Sequence, residues 1–272
     1  MSFAAFFVEN YRLILLFGLV FLTTVLALIL HRLKVKAALA FLILILFASF
    51  LMGGIYLLDN AVSPRGELFG EVFWRGPKNL KFIALTFDDG PQEPYTSQIL
   101  NILKSLQVRA TFFLIGAKAE KFPGLARRIY AEGHAIGNHT FSHANLLMKA
   151  HEGVIGEVKR GEEAIFRATG VSCKIFRPPH GFKNTEVIRA CQRRGLTVVG
   201  WSEMASDWNE KNPDVIVSKI IERAQNGAIV LLHDGGGDRS RTVEALPEII
   251  MSLQEQGYRF VTIPQMINLK GD

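Results

Sequence analysis

The sequence has very little cysteine, only Cys173 and Cys191 among 272 residues. Two cysteines are too few for a disulfide framework, and neither has a second sulfur or a histidine beside it that would form a zinc knuckle. A single bond between them is the alternative if their domain faces an oxidising compartment. We expect two buried free thiols instead.

The sequence also lacks any long run of one charge sign. It carries 31 Lys and Arg against 25 Asp and Glu, and the net charge of +6 is spread along the chain. Dispersed positive charge suits an anionic membrane or envelope surface better than specific readout of a nucleic acid. We therefore expect no nucleic-acid partner.

Two stretches near the N-terminus lack charged residues altogether. Residues 13–30 and 37–58 are apolar over about the 20 residues that a helix needs to cross a bilayer. A signal peptide is the alternative for the first stretch, but its apolar core is usually only about 7–15 residues long. Buried core helices are a weaker alternative, because neither stretch has a polar face. The sequence predicts a membrane anchor with two transmembrane helices over residues 1–58.

The loop between the two stretches predicts their orientation. It contains Arg32, Lys34 and Lys36, and a short positive loop favours the cytoplasmic side. Two spans return the chain to its starting side, so the remainder is expected to face the extracytoplasmic side. It comprises a linker with a lead-in strand at 59–80 and a second domain at 81–272.

Strand-like and helix-like stretches alternate along the second domain. Strands that are apolar on both faces, each followed by a helix, indicate parallel βα units. Seven such units in about 200 residues favour a closed α/β barrel over an open sheet. The predicted strands are 81–87, 109–116, 135–139, 173–177, 196–201, 228–233 and 259–263. The predicted helices are 96–107, 118–132, 150–168, 184–194, 213–225 and 242–256.

Polar motifs stand where the predicted strands end. "DDGP", "NHTFSH", "RPPHG", "SDW" and "LLHD" follow the first, third, fourth, fifth and sixth strands. In a parallel α/β barrel, reactive groups lie at the carboxyl ends of the strands. We therefore expect the five motifs to converge on one mouth.

Two of these motifs have the composition of a metal site. His139 and His143 have i, i+4 spacing, which predicts both imidazoles on one face of a helical turn, a common zinc-binding arrangement. Capping or surface roles are the alternative. One of the adjacent acids Asp88 and Asp89 would be the third ligand, and the other would accept a proton from a metal-bound water. The cation would also relieve the repulsion between the two carboxylates.

In order and spacing, these motifs resemble those of the polysaccharide deacetylases, the NodB-homology enzymes of carbohydrate esterase family 4. The resemblance covers roughly residues 70–267. It implies a distorted (β/α) barrel that removes N- or O-acetyl groups from sugars with one divalent metal ion. Zinc is the expected metal, with cobalt, nickel or manganese as alternatives.

The resemblance also implies roles for single residues. Asp88 resembles the catalytic base, and Arg177 the arginine that pairs with it. His233 resembles the general acid, and Asp207 the residue that orients it. The remaining correspondences are the metal ligands Asp89, His139 and His143 and an apolar wall of the acetyl pocket, Leu231.

Other polar and aromatic residues carry separate expectations. The family usually has Tyr where this chain has His180. The backbone N–H that would stabilise an oxyanion survives this exchange, while the imidazole would contact the sugar or reach the metal as an extra ligand. Trp208 would line the sugar site, or alternatively pack under a loop. His134 and His151 lie outside the motifs and are expected in loops or on the surface.

Together these features predict a membrane-anchored deacetylase that acts on N-acetylated sugars of an envelope polysaccharide, such as peptidoglycan or a chitin-like glycan. A metal-bound water would attack the acetamide carbonyl. A lipid-linked (polyprenyl-phosphate) sugar is the alternative substrate. An inactive glycan-binding protein and a cytoplasmic amidase are the alternatives from other classes; the retained base, ligands and acid argue against the former, and the positive loop argues against the latter.

The predicted orientation is testable with a reporter enzyme that works only after export. Fused after Asn60, the reporter should be active, because two spans would place this point outside. The same reporter fused after Val35, in the positive loop, should be inactive. Activity confined to the Val35 fusion would contradict the predicted topology and, with it, an envelope substrate.

Overall fold

The computed structural model describes residues 3–269, and the chain divides into two compact units between Val62 and Ser63. The first unit consists of helices α1 (Phe3–Arg32) and α2 (Ala37–Val62). Leu13–Arg32 and all of α2 are long and apolar enough to cross a membrane. From Leu13 onward, most large apolar side chains of both helices are exposed. Apolar exposure of this extent is unfavourable in water, and it is compatible with the predicted spans.

The second unit is built on a parallel β-sheet that curls into a distorted barrel. Its strands are β1 (Phe82–Asp88), β2 (Thr111–Leu114), β3 (Ala135–Asn138), β4 (Ile175–Phe176), β5 (Thr197–Val198), β6 (Glu203–Met204), β7 (Ala228–His233) and β8 (Arg259–Phe260). Their order is β5-β4-β3-β2-β1-β7-β6, with β8 paired beside the start of β1. All of these pairings are parallel, which confirms the predicted α/β class. In the described part of the chain β5 and β6 do not pair with each other, so the sheet is a curled half-barrel and not the closed barrel that the strand count favoured.

Helices follow most strands, as the alternation of patterns predicts. They are α3 (Tyr95–Ser105), α4 (Gly116–Lys121), α5 (Pro123–Ala131), α6 (His151–Thr169), α7 (Thr185–Arg193), α8 (Pro213–Arg223), α9 (Ser240–Glu255) and α10 (Ile263–Asn268). The predicted helix 118–132 is wrong in one respect, since it is interrupted at Phe122. Proline disfavours the helical conformation of the residue before it, so Pro123 ends one helix and begins the next.

The fifth predicted strand, 196–201, is also wrong in its extent. Only β5 lies within it, and a separate strand, β6, follows beyond its predicted end, with no helix between the two. At the bend, Gly200 donates its N–H to the Phe73 carbonyl at 3.0 Å. A Cβ at this position would lie 2.1 Å from the Pro64 carbonyl oxygen, so only glycine fits. The "SDW" motif consequently follows β6.

Alternate residues of β1 face two apolar clusters. Ile83, Leu85 and Phe87 belong to the larger cluster, which packs against the helices. Ala84 belongs to a smaller cluster, together with Phe113 and other strand residues. The period of two places Thr86 and Asp88 on the same side as Ala84. The apolar alternation of this strand therefore delivers Asp88 to the interior face at the strand end.

The two cysteines are free and buried, as predicted. Burial raises the pKa of both Cys173 and Cys191, and Glu162 adds to the effect. Thiols of this kind remain protonated and unreactive.

Candidate active site

The strand ends bring the predicted polar motifs together at one mouth. Asp88 is the last residue of β1, and it stands in register with His233, the last residue of β7. His139 directly follows β3, and Arg177 directly follows β4. Asp207 follows β6 and reaches His233. The predicted convergence is confirmed, although Asp207 reaches the mouth from a strand that the sequence did not separate.

Asp88 forms a buried ion pair with Arg177. Nη1 of Arg177 donates to Asp88 Oδ1 at 2.8 Å and to Thr86 Oγ1 at 2.7 Å. Nη2 donates to the Gly200 carbonyl at 2.8 Å, and the guanidinium carbon lies 4.1 Å from the centre of the Phe113 ring. An unpaired charge is costly to bury, and the arginine provides this carboxylate with its partner. The second oxygen of Asp88, Oδ2, lies 3.9 Å from Nε2 of His139.

Asp89, His139 and His143 form a group whose potential ligand atoms all lie within 4.8 Å of one another. Oδ1 of Asp89 is 3.4 Å from Nε2 of His139 and 3.0 Å from Nε2 of His143. Burial would raise the pKa of Asp89, but its interactions with the imidazoles of His139 and His143 hold it well below its ordinary value. Among the described residues this is the group with the donor set and closeness that a metal requires.

The orientation of His139 makes it a suitable ligand. Its Nδ1 lies 2.7 Å from the backbone carbonyl of Arg177, and an N–H at Nδ1 donates to this oxygen. The proton at Nδ1 leaves a lone pair on Nε2, which faces Asp89. Hydrogen bonds of this kind fix the tautomer and the ring plane of metal-binding histidines. The three residues therefore fit a divalent metal ion.

The predicted helical turn between His139 and His143 is wrong. This segment is a loop, and Thr140 and His143 have left-handed backbone conformations with φ of 67° and 59°. The Thr140 hydroxyl accepts the N–H of His143 at 3.0 Å. The two imidazoles meet with ring centres 5.0 Å apart because the loop turns back, and not because they share a helix face.

The half-buried His233 and the buried Asp207 form a second pair. Nδ1 of His233 lies 2.8 Å from Oδ1 of Asp207, whose Oδ2 accepts the His233 N–H at 2.9 Å and the Thr242 hydroxyl at 2.8 Å. Burial alone would lower the pKa of His233, but the charge and hydrogen bond of Asp207 outweigh it and raise the pKa to about 9. His233 is therefore an imidazolium at neutral pH, a suitable proton donor.

Three further predicted residues border these groups. The exposed ring of His180 lies 4.9 Å from that of His143, but His180 is not part of the group of mutually close ligand atoms. The half-buried Trp208 ring packs edge-on against His233, with ring centres 5.2 Å apart. Leu231 is buried, and it pairs in register with Thr86.

Of the two histidines outside the motifs, His134 lies in the loop between α5 and β3, as predicted, but not on the surface. His134 is buried, and its Nδ1 accepts the N–H of Ala110 at 3.1 Å. Burial lowers the pKa of His134 to about 4, so it is a neutral structural residue. His151 is exposed, as predicted, and pairs with Glu186.

Sequence reasoning missed several residues that hold the site. Thr86 and Thr242 bind the side chains of Arg177 and Asp207, and nothing in their local sequence signals this. Asp234 is buried and accepts the Thr96 hydroxyl at 2.6 Å. Burial raises the pKa of Asp234 to about 7. Its position next to His233 was the available signal.

Comparison with known proteins gives consistent matches. A family model described as polysaccharide deacetylase matches residues 75–199. A peptidoglycan-N-acetylglucosamine deacetylase of Bacillus cereus is 40% identical over 206 residues, which cover 75% of this chain and 96% of that protein. A chitooligosaccharide deacetylase of Azorhizobium caulinodans is 33% identical over 199 residues, 69% of this chain and 95% of that protein.

Among solved structures, a peptidoglycan N-acetylglucosamine deacetylase in complex with 4-naphthalen-1-yl-N-oxidanyl-benzamide is similar over 74% of this chain and 95% of that one. The TM-score is 0.70, and the sequences are 38% identical. The similarity thus extends to the fold as well as the sequence.

The metal site is testable by counting bound metal. His139→Ala and His143→Ala should each abolish tight binding of a divalent ion by the full-length chain, while the fold persists because its core is apolar. The matched control is His151→Ala, which removes an exposed histidine and should leave the metal content unchanged. Wild-type metal content in both ligand variants, measured by elemental analysis after dialysis, would contradict the ligand assignment.

Proposed function

The chain belongs to the polysaccharide deacetylase family, and from this membership we propose that it removes acetyl groups from N-acetylated sugars of a cell-envelope polysaccharide such as peptidoglycan. The observation that carries the proposal is the convergence of three units at one mouth. These units are a base held by an arginine, a three-residue metal group, and a histidine held by an acid.

In this proposal, Asp89, His139 and His143 hold one divalent metal ion. Two imidazole nitrogens and one carboxylate oxygen suit zinc, and cobalt, nickel and manganese accept similar ligands. When bound, such an ion supplies Lewis-acid chemistry by lowering the pKa of a water to about 7 and polarising a carbonyl oxygen. Every other requirement of the reaction falls to the side chains and backbone of the chain.

Asp88 is the proposed general base. It accepts a proton from the attacking water through Oδ2, the oxygen that faces His139, while Arg177 holds Oδ1. The ion pair fixes the orientation of the carboxylate, so that Oδ2 is the oxygen left to take the proton. As the water oxygen bonds to the acetamide carbon, the carbonyl π electrons move to the oxygen. We assign the stabilisation of this charge to the backbone N–H of His180.

His233 is the proposed general acid. With a pKa of about 9 it is protonated at neutral pH and can donate its proton to the leaving nitrogen. The C–N bond then breaks, which releases acetate and a free sugar amine. Asp207 orients the imidazole and stabilises its charge, and the neighbouring Leu231 and Trp208 provide apolar contacts for the acetyl group and the sugar.

The proposed location is the extracytoplasmic face of a membrane, with α1 and α2 as the anchor. A lipid-linked sugar is the second candidate substrate, and the shortness of the tether favours it. The second helix ends at Val62, and Arg65 already donates to the Ser202 carbonyl within the second unit. A connection of so few residues supports a substrate that is presented near the bilayer.

The activity is testable by measuring the acetate released from defined substrates. The full-length chain, purified in detergent and loaded with zinc, should release acetate from peptidoglycan or chitin oligomers. Acetylated xylan tests for ester substrates, and a polyprenyl-linked N-acetylated sugar tests for the second candidate. No release from any acetamide substrate would contradict the proposed function.

The two adjacent aspartates should fail differently when each is replaced by Asn. Asp88→Asn leaves the three ligands in place, so it should retain metal while kcat falls by about 10²–10⁴-fold, the usual weight of general-base catalysis. Asp89→Asn removes an anionic ligand, so its metal affinity should fall and excess metal should restore part of the rate. The measurement is a metal titration of activity with bound metal counted in parallel. Rescue of the Asp88 variant by metal would mean that the roles are reversed.

The general acid predicts a specific pH dependence. Because the pKa of His233 is raised to about 9, the wild-type rate should fall only as pH rises through about 9. Asp207→Asn removes the stabilising charge while burial of the imidazole remains, so the alkaline limb of kcat should move to lower pH. The control is Asp214→Asn at an exposed position, which should leave the profile unchanged. If the alkaline limb of the kcat profile did not shift in the Asp207 variant, the assignment of His233 as the general acid would be wrong.

A further inference from the structure

The loop that carries His139 and His143 contains two residues in an unfavourable backbone conformation. Thr140 and His143 are left-handed, with φ of 67° and 59°, and neither is glycine. Side chains with a Cβ adopt this region at a conformational cost, so surrounding contacts must hold them there. The question is which contacts do so.

Helix α4 provides some of these contacts, since the N–H groups of Gly116 and Ala117 donate to the Thr140 and Phe141 carbonyls at 2.9 Å. Helix α6 provides the others through Glu157. Oε2 of Glu157 accepts the backbone N–H of Ser142 at 2.9 Å, and Oε1 accepts the Ser142 hydroxyl at 2.8 Å. The backbone carbonyl of Glu157 accepts the N–H of Phe141 at 3.1 Å. One residue thus binds two consecutive loop residues that lie between the two histidines.

The packing of α6 leaves this loop little freedom at its other end. Nδ2 of Asn138 donates to the Val158 carbonyl at 2.9 Å. A Cβ on Gly161 would lie 2.3 Å from Oδ1 of Asn138 and 2.9 Å from the carbonyl carbon of Thr140. The helix is therefore also in close contact with the part of the loop that precedes Ser142.

We propose that Glu157 is a positioning residue of the metal site, which sets the His143 imidazole relative to Asp89 and His139 by holding Ser142 through its carboxylate. Glu157 is 7% exposed and lies outside the group of mutually close ligand atoms, so it acts through the loop and not as a ligand. The inference rests on the proposed metal site. Groups that orient metal ligands commonly change metal affinity by 10–100-fold when they are removed.

Because Ser142 is exposed, the effect of Glu157 on the loop can be distinguished from an effect on folding of the domain. Ser142 is exposed, so water can satisfy its N–H and hydroxyl if the carboxylate is removed. The apolar positions of α6, including Val154, Val158 and Ile165, remain buried in the core. Loss of the carboxylate should therefore free the loop without unfolding the domain.

The test measures cobalt affinity by visible absorption in the metal-free full-length chain, with thermal unfolding followed in parallel. Glu157→Ala should weaken cobalt binding about 10–100-fold with little change in Tm. Glu157→Gln should stay near wild type, because its amide oxygen accepts the Ser142 N–H and its NH₂ donates to the hydroxyl oxygen. The matched control is Glu163→Ala on the same helix, whose exposed carboxylate pairs with Lys159.

Two outcomes would overturn the proposal. One is wild-type cobalt affinity in Glu157→Ala, and the other is equal weakening in the Ala and Gln variants, which would indicate a charge effect instead. If Glu157→Ala does not fold, the claim that Glu157 positions the loop without being needed for folding is wrong. Ser142→Ala then tests the same contact by removing the hydroxyl that donates to Glu157. We expect it to weaken cobalt binding less than Glu157→Ala would, and wild-type cobalt affinity would contradict the proposal. A wild-type chain that binds no cobalt would refute the proposed metal site itself, which is a separate result.

Discussion

The buried Asp88–Arg177 ion pair is the interaction on which the rest of the site depends. Taking two charges out of water is costly unless their remaining hydrogen-bonding groups find partners. Arg177 finds them in Thr86 and in the Gly200 carbonyl, and the Phe113 ring lies against its guanidinium. Since these partners come from different strands and from the bend between β5 and β6, the pair requires the sheet to be curled.

The same arginine connects Asp88, the proposed base, to the group formed by Asp89, His139 and His143. Its backbone carbonyl accepts the Nδ1–H of His139, while its side chain holds Asp88. A displacement of Arg177 would therefore disturb a proposed ligand and the proposed base together. This link gives a physical reason why the two adjacent aspartates are separable, because Asp88 faces the arginine and Asp89 faces the two imidazoles.

Much of the architecture was predictable because it depends on local pattern. Apolar strands that alternate with amphipathic helices predict the parallel sheet. The motifs directly follow predicted strands, which predicts that they lie at the carboxyl end of the sheet. The predictions failed where distant contacts override local pattern. The Pro64 carbonyl approaches Gly200 so closely that only glycine fits beyond β5, and the buried His134 accepts a hydrogen bond from Ala110 on another segment.

The histidine pair shows the same limit at the site. Spacing correctly indicated that His139 and His143 are neighbours, but it gave the wrong backbone, because i, i+4 spacing is compatible with a tight loop as well as a helix. The loop conformation depends on α6, whose Glu157 lies beyond the motif in sequence. Contacts of Thr86 and Thr242 with charged side chains were equally invisible, since isolated threonines carry no signal of their tertiary partners.

The central claim is that Asp89, His139 and His143 bind one metal ion while Asp88 remains paired with Arg177 and does not bind it. Anomalous diffraction at the zinc edge, from crystals of the zinc-loaded full-length chain, tests this claim most directly. We expect a single strong peak bonded to Asp89, His139 and His143, with Asp88 outside the coordination sphere and paired with Arg177. A peak bonded to Asp88, or a zinc ion bound elsewhere with this group empty, would contradict the account.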